Sequence, residues 1–191
     1  MSLRGLFGKS RKKTLDDLIR GDDPVTMKDL LELDELQCRP EIVAAGLKLV
    51  QNPKHSHDGY DILGPLAAEG DVDAQFIMGE FCESVLDRPE QAAIWFQRAA
   101  DQEHPQAQRN YADLLMTGKG VDRDPRKASI YYEKAANSGI PEAQFVMGEL
   151  LRAGVDVPQN LEEARKWYRL ALKNGYQHAQ TRLEQMAEGI G

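Results

Sequence analysis

The sequence predicts an all-α fold, a solenoid in which short helical hairpins stack along the chain. The dipeptide Ala-Gln recurs four times, starting at positions 74, 107, 143 and 179, at steps of 33, 36 and 36 residues. A second segment, rich in alanine and aromatic residues, starts at positions 92, 128 and 164, again at steps of 36 residues. Self-similarity at a period of about 20 to 50 residues is typical of solenoid proteins. Two segments repeated in one register therefore indicate consecutive copies of one structural unit.

Apolar residues in both segments follow the period of an α-helix, so each unit is predicted to be a hairpin of two amphipathic helices. In the first segment they recur at i, i+3, i+4, i+7 and i+8, as in Ala143, Val146, Met147, Leu150 and Leu151. In the second segment the apolar stripe is Ala128, Tyr131, Tyr132, Ala135 and Ala136. Glycines follow the helices, where left-handed C-terminal caps favour them, at Gly118, Gly139, Gly154 and Gly175.

The near-identical segments AQFIMGE (74–80) and AQFVMGE (143–149) are interpreted mainly as a packing motif. Small residues recur on the first helix of each unit, and we expect them to let neighbouring helices approach closely. They are Ala74, Gly79, Ala107, Ala112, Ala143 and Gly148.

These features resemble the Sel-one-like repeat, a relative of the tetratricopeptide repeat. The resemblance is carried by Met78-Gly79, Met147-Gly148, the loop GKGVDRD (118–124) and the segment KASIYYEKAANSG (127–139). It implies a right-handed superhelical solenoid, an alpha-alpha superhelix, that serves as a non-enzymatic scaffold for protein binding.

Two loops depart from the pattern. Residues 83–91 lack the glycine pair and are three residues shorter, and Asp156 replaces the second glycine of the last repeat.

The chain is predicted to divide into five segments. Residues 1–13 form a basic, disordered tail, and residues 14–38 form N-terminal capping helices, because Thr14 and Thr26 each open a capping-box spacing. Residues 39–70 continue the register faintly as a degenerate repeat, with Gly46 and Gly59 at repeat positions. Three Sel-one-like repeats follow over 71–176, and 177–191 form a C-terminal capping helix.

Composition and charge favour a cytoplasmic protein without a membrane span. Hydrophobic residues make up 41% of the chain and charged residues 29%, no apolar run approaches the roughly 18 residues of a transmembrane helix, and the start has no apolar signal region. Cys38 and Cys82 fit no metal or redox spacing and are expected to be reduced.

The charge is unevenly distributed. Residues 1–13 hold five basic residues and no acid, so the formal net charge of -7 leaves -12 for the rest. This body should repel nucleic acids, whereas the tail offers an alternative function, association with nucleic acid or an acidic membrane surface.

Sequence motifs for catalysis are missing. The segment GKS (8–10) resembles a phosphate-binding loop, but the glycine required five positions earlier is Leu3 and no strand precedes it. GKG (118–120) belongs to the turn of the repeat. We therefore expect no enzyme and no cofactor, with an uncharacterised enzyme as the less favoured alternative.

Histidines do not indicate a metal site. His55, His57 and Asp58 lie in a segment between a proline and a glycine, where we expect a solvated loop, and no further ligands for a closed zinc site are evident. His104 and His178 precede or begin repeat helices and are expected to be surface residues.

The predicted function is the binding of a protein or peptide partner, at a surface formed by two columns on the first helices. Residues two and six positions after the anchors lie off the apolar stripe, and in the related tetratricopeptide solenoids the first helices line the concave groove. We predict that the partner-binding residues are Phe76, Glu80, Arg109, Asp113, Phe145 and Glu149. Phenylalanines beside acids fit a segment with apolar and basic residues. The alternative is that the phenylalanines pack against the adjacent hairpin and the acids are merely solvated; a monomer is favoured.

Overall fold

The computed structural model describes residues 39–51 and 56–188. Within these ranges the chain forms nine α-helices and no strand, which confirms the all-α solenoid class. The helices are α1 (Arg39–Val50), α2 (Ser56–Ala68), α3 (Val72–Ser84), α4 (Pro89–Asp101), α5 (Pro105–Thr117), α6 (Pro125–Asn137), α7 (Pro141–Ala153), α8 (Leu161–Lys173) and α9 (His178–Ala187). The predicted basic tail (1–13) and the capping helices of 14–38 lie outside the described residues.

The described part of the chain divides into two compact units, with the boundary between Glu69 and Gly70. In the first unit α1 packs against α2, and in the second each helix from α3 to α9 packs against the next. Packing between neighbours along the chain is the arrangement that a solenoid requires, because each unit is stabilised mainly by the units beside it. No helix in the described part of the chain combines the length and the apolar content that crossing a bilayer takes.

Three hairpins each bring a glycine of the first helix against a large side chain of the second helix. A Cβ atom added to Gly79 would lie 2.5 Å from Cδ1 of Phe96, and one added to Gly148 would lie 2.5 Å from Cε1 of Tyr168. Both rings are fully buried. The predicted role of these glycines in close helix approach is therefore confirmed. In the first unit Gly46 faces Leu63 in the same manner, with a distance of 2.6 Å.

Loops between the two helices of a repeat differ as the sequence suggests. Gly118 and Gly154 end α5 and α7 in the left-handed conformation, with φ of 75° and 68°. In the shorter loop Val85 stays right-handed at the corresponding place, and Asp87 takes a positive φ of 51° instead. The backbone amide of Arg88 donates to the carbonyl of Cys82 at 2.8 Å, which closes this tighter turn.

The glutamines of the Ala-Gln anchors connect successive hairpins, a role that sequence reasoning missed. Gln144 is buried on α7, and its Nε2 donates to the carbonyl of Ala136 on α6 at 3.0 Å. Nε2 of Gln108 on α5 donates to the carbonyl of Ala100 on α4 at 3.4 Å. Buried amides need such partners, because an unpaired polar group in the core costs stability. The anchor thus combines packing with a hydrogen bond between hairpins.

The amide oxygen (Oε1) of the anchor glutamine accepts a hydrogen bond from another side chain in two of the three repeats. Oε1 of Gln144 accepts from Nδ2 of Asn174 at 3.0 Å, and Oε1 of Gln75 accepts from Nε2 of Gln102 at 2.8 Å. Asn174 and Gln102 occupy one repeat position, where the middle repeat has Ser138. Oε1 of Gln108 accordingly has no hydrogen-bond partner among the described residues. The serine side chain is too short to replace the amide donor.

The expectation of a solvated loop around the histidine pair was wrong for His57 and Asp58. Helix α2 begins at Ser56, so both residues lie in its first turn, where an acidic side chain such as Asp58 is favourable to the helix dipole. His55 lies outside the described residues.

Replacing Gly148 with leucine is expected to destabilise the protein by about 1 to 3 kcal/mol, because the larger side chain must displace the buried ring of Tyr168. The measurement is the urea midpoint followed by circular dichroism. Ala153→Leu places the same side chain at an exposed position of α7 and should shift stability by less than about 0.5 kcal/mol. Equal midpoints for the two variants would show that Gly148 does not face a tight interface.

Replacing Ser138 with asparagine should stabilise the fold by about 0.5 to 1.5 kcal/mol, because the new amide can donate to Oε1 of Gln108 as Asn174 does to Gln144. Urea denaturation again measures the change. Ser138→Ala provides no donor and serves as the matched control. If the asparagine and alanine variants have the same midpoint, the new amide does not bind Oε1 of Gln108, which would contradict this prediction.

Candidate partner-binding surface

The six predicted site residues all lie on first helices of the repeats, two on each of α3, α5 and α7. Glu80 is exposed and the other five are half-buried. We call this set the first-helix surface: Phe76, Glu80, Arg109, Asp113, Phe145 and Glu149. Each of the three helices contributes one residue from the column two positions after the anchor and one from the column six positions after it.

The two phenylalanines each contact aromatic side chains. The ring of Phe76 stacks on His104 with centroids 4.4 Å apart and lies 6.1 Å from Phe96. The ring of Phe145 lies 5.0 Å from Tyr176 and 5.6 Å from Tyr168. Both rings therefore pack within their own repeat, while their half-buried state leaves part of each at the surface.

His104 was expected to be a surface residue, and its side chain also caps a helix. Its Nδ1 accepts a hydrogen bond from the backbone amide of Ala107 at 3.1 Å, so it is the N-cap of α5. Burial lowers the pKa of His104, and Asp73, with Oδ1 3.7 Å from Nε2, acts in the opposite direction. A neutral ring suits this position, because the cap requires an unprotonated Nδ1.

Asp113 is held by two side chains of the protein itself. The hydroxyl of Tyr132 on α6 donates to one carboxylate oxygen, and Nε of Arg109 lies 3.1 Å from the other. Burial raises the pKa of Asp113. Tyr132 and Arg109 lower this pKa and the nearby Glu83 raises it, and the net shift is upward. Burial of the carboxyl group is thus the main reason that the pKa of Asp113 is raised.

Glu149 is bound more extensively than Asp113. Its Oε1 accepts from the hydroxyl of Tyr168 at 2.6 Å and from Nε of Arg182 at 2.7 Å, and its Oε2 accepts from Nη2 of Arg152 at 3.1 Å. Burial raises the pKa of Glu149, but hydrogen bonds from Tyr168, Arg152 and Arg182 outweigh burial and lower it. The carboxylate is thus kept ionised, and each of its two oxygens accepts at least one hydrogen bond.

Sequence reasoning missed these donors, although one signal was available. Tyr132 and Tyr168 share one repeat position, and each follows its acid by 19 residues. In the first of these repeats the same position is Phe96, which has no hydroxyl, so Glu80 cannot receive this hydrogen bond. Burial and then repulsion from Glu83 raise the pKa of Glu80. The three acids of the first-helix surface therefore differ in how strongly the protein holds them.

A pocket of about 420 Å³ lies between α7 and α9. We call it the α7–α9 pocket, and it is lined by Phe145, Tyr176, His178, Thr181 and Arg182. Phe145 and Thr181 each stand two residues after an Ala-Gln anchor, so the pocket continues the first-helix surface onto the last helix. Grouped metal ligands, meaning three or more His, Cys, Asp or Glu side chains, are not found in residues 39–51 and 56–188.

Comparison with known families and structures agrees with this architecture. Residues 72–104, 105–140 and 141–176 each match the Sel1 repeat. No curated protein matches the chain. Among solved structures, a Sel1 repeat protein from Oxalobacter formigenes is 27% identical with a TM-score of 0.68, over 74% of this chain and 59% of that protein.

A second solved structure supports the fold alone. The protein c5321, a protective antigen of uropathogenic Escherichia coli strains with an SLR fold, is 24% identical with a TM-score of 0.77. The match covers 93% of this chain but only 37% of c5321. The chain thus spans about 59% and 37% of the lengths of these two proteins.

Glu149→Gln is expected to lower stability at pH 7 by about 1 kcal/mol, the upper range for partly exposed ion pairs. Because the pKa of Glu149 is depressed in the folded state, its contribution is present above the ordinary value of 4.5 and is lost as pH falls through the folded pKa. The difference in stability between wild type and variant should therefore disappear as the pH falls below 4.5. Urea midpoints across this range measure it.

The matched control is Glu142→Gln, at an exposed position of the same helix, which should stay within about 0.5 kcal/mol of wild type at each pH. A loss of stability in Glu149→Gln that does not change with pH would contradict the hydrogen bonds and ion pairs assigned to Glu149.

Proposed function

Because the chain belongs to the Sel1 repeat family, we propose that it is a non-enzymatic scaffold that binds a peptide segment of a protein partner. The proposed contact region is the first-helix surface. Family membership supports a role in protein interaction, since the three matching repeats over 72–176 build the stacked hairpins. The choice of surface is supported by its mixture of half-buried aromatic rings and carboxylates.

Glu80 is the observation that carries the proposal. It is exposed and forms no ion pair with any described residue, whereas Asp113 is paired with Arg109. The neighbouring Glu83 is paired with Lys119, with Nζ 3.0 Å from Oε1. The raised pKa of Glu80 shows that its ionised form is disfavoured in the unbound protein. Burial and, to a smaller extent, repulsion from Glu83 disfavour the ionised form, and a basic residue of a partner would offset both, which favours a cationic group at this place.

Aromatic side chains supply the second part of the proposed recognition. Phe76 lies one turn before Glu80 on α3, and Phe145 stands at the same repeat position on α7. Partly buried rings held by neighbouring aromatic residues give rigid apolar contacts, which lose little entropy on binding. We infer that the partner segment carries apolar anchor residues together with basic residues.

Peptides selected from a display library on the immobilised protein test the proposal. Selected sequences are expected to combine apolar and basic residues. Glu80→Lys should weaken their binding by about tenfold, because it replaces an attractive charge with a repulsive one. Fluorescence anisotropy with a labelled selected peptide measures the dissociation constant, and circular dichroism confirms that the variant is folded.

Glu133→Lys makes the same charge change at an exposed position of α6, a second helix. Binding to this variant should match wild type. Failure to enrich any peptide, or equal losses for the two variants, would overturn the proposed function.

A further inference from the structure

The α7–α9 pocket differs in charge from the acidic end of the first-helix surface, and its chemistry indicates what it binds. Resting on the proposed function, we propose that this pocket takes a large apolar side chain of the bound peptide together with an adjacent carboxylate. The proposal adds a second recognition element to the basic residue inferred at Glu80. It also defines a direction for the peptide, with its basic residue at α3 and its apolar and acidic residues at α9.

Aromatic rings form the apolar part of the pocket. The rings of Phe145 and Tyr176 lie 5.0 Å apart at 43°, and the ring of His178 lies 5.4 Å from that of Tyr176. The volume of about 420 Å³ lies in the range of pockets that enclose small ligands. Tilted rings at these distances present both faces and edges, which suits an aromatic or branched aliphatic side chain.

The polar part of the pocket carries an excess of positive charge. Arg152 and Arg182 both bind the single carboxylate of Glu149, which leaves one positive charge uncompensated within this group. Asp and Glu are absent from the lining within the described part of the chain. The three donors on Glu149 use both of its oxygens. A cationic ligand would therefore meet no carboxylate in the described lining, whereas an anionic ligand would meet the guanidinium of Arg182.

Arg182 is held in position for such a contact. Its Nε donates to Glu149 at 2.7 Å and its Nη1 donates to Oε1 of Gln185 at 2.9 Å. A guanidinium has five N–H donors, so these two bonds leave donors for a ligand. The side chain is 36% exposed and lines the pocket. An arginine already fixed by neighbours loses little entropy when it binds a carboxylate, and such charge-assisted bonds are strong.

Three small probes with the same aromatic ring test the charge preference of the pocket. N-acetylphenylalanine carries a carboxylate, its amide is neutral, and phenylalanine amide carries an ammonium group. Each is titrated into the uniformly nitrogen-15-labelled full chain, and amide chemical shifts give the affinity and the site. We expect the carboxylate probe to bind about tenfold more tightly than the neutral amide, with the largest shifts at Phe145, Thr181 and Arg182.

Variants separate the two parts of the pocket. Arg182→Gln should reduce the affinity of the carboxylate probe to that of the neutral amide, whereas Arg169→Gln, at an exposed position of α8, should leave it unchanged. Thr181→Trp should block all three probes by filling the pocket without removing the Glu149 to Arg182 contact. This second variant keeps the test decisive if Arg182→Gln does not fold, and the amide spectrum reports folding directly.

Absence of binding, equal or tighter binding of the neutral or cationic probe, or shifts located elsewhere would each overturn this inference. A different result would overturn the proposed function: either no peptide is selected, or the Glu80→Lys variant binds the selected peptide as tightly as the Glu133→Lys control. Selected peptides that bind normally while the probes show no carboxylate preference would therefore remove only the pocket assignment.

Discussion

The close approach of the two helices in each hairpin is the constraint on which the rest of the second unit depends. Gly148 has no side chain, so the ring of Tyr168 lies directly against the backbone of α7. The next residue is Glu149, and the hydroxyl of the same tyrosine reaches its carboxylate at 2.6 Å. One packing contact therefore also positions a polar group at the surface. The hydroxyl of Tyr132 donates to Asp113 in the same way in the middle hairpin.

A single difference at this position changes the chemistry of the surface from one repeat to the next. In the first hairpin of the unit, Phe96 packs against Gly79 but has no hydroxyl to offer Glu80. Glu80 thus stays exposed with a raised pKa, while Glu149 is bound by three donors and has a lowered one. The packing is the same, but Glu80 on α3 is exposed, whereas Glu149 on α7 is bound by Arg152 and Arg182. This difference in charge between the two helices is the basis of the orientation proposed for a bound segment.

Hydrogen bonds from buried glutamines extend the same principle between hairpins. Gln108 and Gln144 each donate to a carbonyl near the end of the preceding second helix. The same carbonyls, of Ala100 and Ala136, also accept from the backbone amides of Glu103 and Gly139, so each glutamine adds a further hydrogen bond to an acceptor with two lone pairs. Because Gln108 and Gln144 occupy one repeat position, they hold the three hairpins of the second unit in one register. This regularity is what allows residues at equivalent positions to form columns on the first helices.

The sequence by itself determined the helical class, the repeat register and the small residues at the hairpin contacts, because these follow from local periodicity and from the space that a glycine leaves. It also placed the six first-helix residues on α3, α5 and α7. Only the tertiary structure decided which charges are satisfied: Arg182 reaches Glu149 across 33 residues, and the α7–α9 pocket joins the third repeat to the last helix. Such contacts depend on side-chain reach between helices, which periodicity along one helix does not encode.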